Sequence, residues 1–183
     1  MKAEKTEKKP AAERNFPPDA LSEPPPRRMP PLLRKAWYNL NQAFRRRIAF
    51  SGVTPDQFTI LRLLSEDANE GMTQRELCTK MCSDPNTMAS LLGRMEASGL
   101  LERRTHEDDR RAHRVTLAPK GRHTFVELRE IAVELQYAIL QAIPERRRAQ
   151  FLEDLERIAD GAQEQLQLDT QREKTSAQAR KKT

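Results

Sequence analysis

Along most of this chain the apolar positions recur at helical spacing, and only one short stretch alternates. Residues 32–50 place Trp37, Leu40, Phe44 and Ile48 on one stripe, the repeat of an amphipathic helix. Thr54 and Gln57 then form a capping box, in which each side chain satisfies a backbone N–H of the other, ahead of Phe58, Leu61 and Leu64. Thr73 with Glu76 repeats the device ahead of Leu77 and Met81. A further helix starts with Asp84 at its N-cap and Pro85 in its first position, and Gly99 is placed to end it. Between those signals Met88, Leu91, Leu92 and Met95 mark a buried face. Pro119 opens a long helix to about Ala142, and Pro144 opens the last, carrying Phe151, Leu155, Ile158 and Ala162.

The exception to helical spacing lies between these blocks. Residues 100–105 and 113–117 alternate apolar and polar positions, as the two strands of a half-buried hairpin do. The predicted order is therefore α-α-α-α-β-β-α-α: a mainly α protein with a small β-hairpin wing, in which a winged helix-turn-helix head joins an α-helical dimerisation region. The long helix is apolar around much of its circumference, at Val126, Leu128, Ile131, Val133, Leu135, Tyr137, Ile139 and Leu140. One head cannot cover two faces of such a helix, so a two-fold homodimer is expected through the first helix and the last two.

Opposite the buried face of the helix that starts at Asp84 stand Asn86, Thr87, Ser90 and Arg94. A solvated helix fills that face with Glu and Lys more often; short amide and hydroxyl groups followed by Arg suit base edges and phosphates. The loop between the strands is less direct, because Glu107, Asp108 and Asp109 are acidic where a phosphate-facing loop should be basic. Pairing of Asp108 or Asp109 with Arg110 or Arg111 resolves this, leaving one guanidinium extended toward a minor groove. A solvated charged turn is the alternative for the loop taken alone.

Three pieces of this region, TQRELCTKM, DPNTMASLLGRMEASGLLERR and DDRRAHRVTLAPKG, resemble the MarR family of bacterial transcription regulators. The resemblance is densest over residues 73–121, weaker over 31–162, and does not reach the two ends of the chain. It implies a cytoplasmic, bacterial, homodimeric regulator that binds a pseudo-palindromic operator in double-stranded DNA, with half-sites about one helical turn, roughly 10 bp, apart. Carried over position by position, it makes Asn86, Thr87 and Ser90 candidates for the major groove and Arg94 for a base or phosphate. Thr73, Gln74 and Arg75 become candidates for the backbone, Arg110 and Arg111 for the wing, with Asp108 and Asp109 orienting them. Arg103 matches a family arginine for which an ion pair and a DNA contact are equal alternatives. His106 departs from the pattern, standing where the family commonly has Asp or Asn. The resemblance further implies repression relieved by a small aromatic or phenolic ligand, in a crevice that Trp37, Tyr38, Asn41, Phe44, Phe58 and Arg62 could line; ordinary core packing is the competing reading of those aromatics.

Charge refines the organisation. The chain of 183 residues carries a formal net charge of +6 and a pI near 9.6, yet the excess sits at the ends. Residues 1–30 hold 7 Lys/Arg against 5 acids, residues 171–183 hold 5 against 1, and residues 31–170 hold 21 of each. The expected domains are a disordered Lys/Pro-rich tail over 1–30, a dimerisation helix over 31–53, the winged helix-turn-helix over 54–117, dimerisation helices over 118–165, and a basic, flexible tail over 166–183. No apolar run approaches a membrane span. No Gly-rich phosphate loop, G-x-S-x-G elbow or Cys-x-x-Cys pair is present, so neither an enzyme nor a cofactor is expected, and three histidines without convergent partners predict no metal. Cys78 and Cys82, at i and i+4, are predicted to share a helical face, which leaves redox sensing as an alternative trigger. A winged-helix protein-interaction module without DNA binding is the alternative from another class; its face should be more apolar than Asn86, Thr87, Ser90 and Arg94.

Overall fold

The computed structural model describes residues 28–67, 71–105 and 113–181, which divide into two compact units at Ala43/Phe44. Helix α1, Met29–Arg47, begins in the first unit and ends in the second. It starts earlier than the apolar stripe predicts, because Pro30 and Pro31 fall in its first turn, where no intrahelical N–H is needed. In the first unit Leu32, Leu33, Trp37 and Tyr38 are exposed, and the Asn41 amide donates to the Trp37 carbonyl at 3.0 Å.

In the second unit the chain passes through a 3-10 turn, Ala49–Ser51, and a left-handed Gly52 into α2, Pro55–Glu66. There follow β1 (Met72–Thr73), α3 (Gln74–Lys80), α4 (Pro85–Ala97), β2 (Leu101–Thr105), β3 (His113–Leu117), α5 (Pro119–Leu140) and α6 (Glu145–Lys181). The two predicted hairpin strands are present, and a third joins them. The sheet is antiparallel in the order β1-β3-β2, with Met72 opposite Val115 and Leu101 opposite Leu117. A strand of two residues is too short for alternation to announce it, which is why the sequence pattern yields only two.

Helix α2 packs on α5 and β3, α3 on α4, and α4 on β2. Ile48, Ile60, Leu61, Leu77, Met88, Leu92, Met95 and Leu128 are the fully buried centre of this unit; each such side chain contributes roughly 1.5–3 kcal/mol relative to exposure. The start of α5 is pressed against the turn that follows α4. Ala118 N–H donates to the Leu100 carbonyl at 3.1 Å, Lys120 Nζ reaches the Ser98 carbonyl at 2.8 Å, and a Cβ on Gly121 would collide with the Leu100 backbone.

Helix α6 departs from expectation. Composition predicts a flexible tail from residue 166, but the helix continues without interruption to Lys181. Residues 166–181 contain neither Gly nor Pro and are rich in Gln, Arg, Lys and Ala, so nothing in them stops a helix. The N-terminal tail expected over 1–30 lies, up to residue 27, outside the described residues. None of the described helices is long and apolar enough to cross a membrane.

Candidate nucleic-acid interface

The site is built on two cap-defined helices. At the start of α3 the Thr73 N–H donates to Glu76 Oε2 at 2.7 Å and the Glu76 N–H donates to Thr73 Oγ1 at 3.2 Å, closing the predicted capping box. The Thr73 amide, then its hydroxyl, hold the Glu76 carboxyl below the usual carboxylate range. At the start of α4 the Asp84 carboxylate accepts the N–H groups of Asn86 and Thr87 at 3.0 and 2.9 Å. Its pKa is lowered too, first by the Thr87 side chain and then by the Thr87 and Asn86 amides. Met88, Leu91, Leu92 and Met95 are buried as predicted, and Gly99, at φ 71°, carries the chain out of α4.

The predicted contact residues separate into two groups. Asn86, Thr87, Ser90 and Arg94 are all exposed on one side of α4, and Arg94 Nη1 donates to Ser90 Oγ at 2.7 Å, so these two side chains form a unit. Arg75 is exposed on α3. Thr73 and Gln74, by contrast, are engaged inside the motif. The Thr73 hydroxyl is held by Glu76, and Gln74 Nε2 donates to the Pro85 carbonyl at 3.2 Å, bracing α3 against the first residue of α4. Arg103 resolves toward the ion pair: its Nε lies 3.0 Å from Glu96 Oε2, tying β2 to the end of α4. His106, Asp108, Asp109, Arg110 and Arg111 lie outside the described residues.

Sequence reasoning missed one connection altogether. Arg114 on β3 donates from Nη1 to the Gly71 carbonyl at 2.6 Å, across the edge where β1 leads into α3. Only the unusual placement of a glycine just ahead of a capping box hinted at close contact there. Gly71 has φ 106°, and a Cβ on it would stand 2.5 Å from the Val115 carbonyl oxygen.

The cysteine expectation is corrected. Helix α3 ends at Lys80, and Cys82 lies beyond it at φ 48°, so the two thiols do not share a regular helical face. Cys82 N–H donates to the Thr79 carbonyl and Ser83 N–H to the Cys78 carbonyl, at 3.2 and 3.0 Å, a Schellman ending with cysteine in the position glycine usually fills. Both cysteines are free, Cys78 half-buried and Cys82 exposed.

Of the predicted ligand-pocket residues, Phe44 and Phe58 are buried and meet edge to face at 4.9 Å, and Phe58 stacks on Phe125 at 5.9 Å. The Arg62 guanidinium lies 5.1 Å from the Phe58 ring centre. Phe44 and Phe58 are thus buried in the core. Among the described residues no three His, Cys, Asp or Glu side chains gather as a metal site would require.

Two capped helices, a polar exposed face on the second and a hairpin fastened beside it define a winged helix-turn-helix. Residues 53–113 match the model of the MarR family. The chain is 30% identical over 88 residues to the HTH-type transcriptional regulator BilQ of Clostridium symbiosum (strain WAL-14163), covering 48% of this chain and 61% of BilQ. It is 32% identical over 87 residues to the HTH-type transcriptional regulator TtmR of Methylorubrum extorquens (strain PA1), covering 48% of this chain and 44% of TtmR. The match therefore spans less than two thirds of either regulator. Among solved structures, the transcriptional repressor CouR bound to a 23-mer DNA duplex is similar with a TM-score of 0.63 at 29% identity, over 70% of this chain and 89% of that one.

Proposed function

We propose that the chain is a dimeric, sequence-specific DNA-binding transcription regulator of the MarR type. The observation that carries this reading is the exposed side of α4: Asn86, Thr87 and the Ser90–Arg94 pair stand on a helix whose opposite side is locked into the core. Amide and hydroxyl groups read base edges, and a guanidinium held by a neighbouring hydroxyl is pre-aimed at a guanine edge or a phosphate. Arg75 adds a backbone contact from α3, while Thr73 and Gln74 serve the interface by fixing the two helices. Arg110 and Arg111, oriented by Asp108 and Asp109, supply the wing contact.

Dimerisation is supported by the apolar surface that one protomer leaves uncovered on α5 and α6, including Val133, Tyr137, Phe151, Leu155 and Ile158. Repression is the sign that the DNA-bound relative supports, since CouR is a repressor. A small aromatic or phenolic ligand is the proposed releasing signal. Arg62, half-buried on α2, offers the cation that an aromatic anion needs, with Trp37, Tyr38 and Asn41 on α1 kept as separate candidates.

Footprinting of the full-length protein on DNA flanking its coding region tests the central claim. Protection of a pseudo-palindrome, weakening steeply with salt, is expected. Absence of salt-dependent binding to any duplex would leave the protein-interaction module as the better reading.

A further inference from the structure

Arg114 sits on the returning strand of the hairpin, paired across β1 with Thr73, the residue that caps α3. Its half-buried side chain runs back to the Gly71 carbonyl, and its positive charge also favours the ionised Glu76 that closes the cap. The β1–β3 pairing spans only two residues, Met72 opposite Val115 and Thr73 opposite Arg114. So short a ladder holds little by itself, whereas a hydrogen bond from a guanidinium is roughly twice as strong as a neutral one. The other strand has its own fastening, the Arg103–Glu96 pair from β2 to the end of α4. The hairpin is thus tied by one arginine to the end of α4 and by another to the segment that leads into α3.

We propose that Arg114 is a positioning residue that locks the hairpin to the cap of α3, so that hairpin and α4 meet duplex DNA as one rigid unit. The inference rests on the DNA-binding reading above and deepens it with a residue that acts without touching the duplex. A hairpin held in place before binding loses little freedom on docking; a loosened one must be ordered at that moment, at the expense of affinity.

The test uses the full-length chain as wild type, Arg114→Gln, Arg114→Lys, the Arg110→Ala/Arg111→Ala pair, and that pair combined with Arg114→Gln. Each is titrated on a labelled A·T-rich duplex at two salt concentrations. Arg114→Gln should weaken binding by about tenfold, the cost of ordering one or two long side chains on docking instead of beforehand. Arg114→Lys, which keeps a cationic donor, should recover most of that loss. Without the two loop arginines the Gln substitution should change affinity by less than about twofold, since a positioning residue has nothing left to position. An equal loss in both backgrounds, or no loss in either, overturns the proposal. Amide hydrogen exchange of the free protein supplies the second arm, with faster exchange expected at Met72 and Val115 in Arg114→Gln and unchanged exchange in α5. If wild type fails to bind the duplex, the DNA-binding reading falls by itself, and unchanged exchange at Met72 and Val115 then decides against the lock.

Discussion

Single side chains in this protein are spent in two ways, on holding backbone in place and on facing outward, and several do not do what their chemistry first suggests. Thr73 and Gln74, candidates for phosphate contacts in the sequence, also hold the motif together, the Thr73 hydroxyl donating to Glu76 and Gln74 Nε2 to the Pro85 carbonyl. Glycines divide in the same way. Gly121→Ala should destabilise the fold by about 1–3 kcal/mol or more, because its Cβ meets the Leu100 backbone. Gly93→Ala on α4 meets nothing and should stabilise by about 0.5–1 kcal/mol. Denaturant titration of the two variants checks both signs. The capping carboxylates predict a pH response. Glu76 and Asp84 have lowered pKa values in the folded protein, so the stability they contribute is complete above the ordinary carboxylate range near pH 4 and is lost as pH falls through their folded values. Asp84→Asn keeps a capping oxygen without the titration, and should flatten the acid side of a stability-against-pH curve.

At the level of elements, the proposed DNA contacts assign different work to α4 and to the hairpin. Replacing Asn86 by Ala should weaken binding to the protected site by about 1–3 kcal/mol and barely affect random duplex, because a base-edge contact is lost. Replacing Arg110 and Arg111 together should weaken both alike and reduce the salt dependence. Competition binding with the two duplexes separates the outcomes; a reversed pattern would mean the grooves are wrongly assigned. The helices themselves were largely legible beforehand, since the boundaries of α2, α3 and α4 are written in Thr54, Thr73, Asp84, Pro85 and Gly99, each a local signal. What escaped was non-local. The pairing of Met72 with Val115 and the reach of Arg114 to Gly71 join residues 43 apart, and no periodicity records such contacts. The reach of α6 past residue 166 escaped for the opposite reason, because its polar composition resembles that of a tail and only the absence of a stop signal distinguished it.

For the molecule as a whole the governing fact is uncovered apolar surface. Val126, Val133 and Tyr137 on α5 and Phe151, Leu152, Leu155 and Ile158 on α6 are all more than a third exposed, and no side chain of α6 among the described residues is buried. Sedimentation at micromolar concentration should therefore find only dimer, and Val133→Asp with Ile158→Asp should give a poorly folded or monomeric chain that has lost operator binding. The corner between these helices carries a further consequence. Arg148 Nε donates to the carbonyls of Leu140 and Ile143 at 3.0 and 3.1 Å, Nη2 reaches the Gln141 side chain at 2.8 Å, and the guanidinium lies 5.8 Å from the Tyr137 ring centre. The bend is thus held by contacts within one chain. For the proposed dimer this predicts assembly as the collision of two finished shapes, at a rate limited by encounter. With Arg148→Ala the corner must form during the encounter, and mixing experiments should find dimers that appear more slowly while the head, once assembled, reads the same sequence.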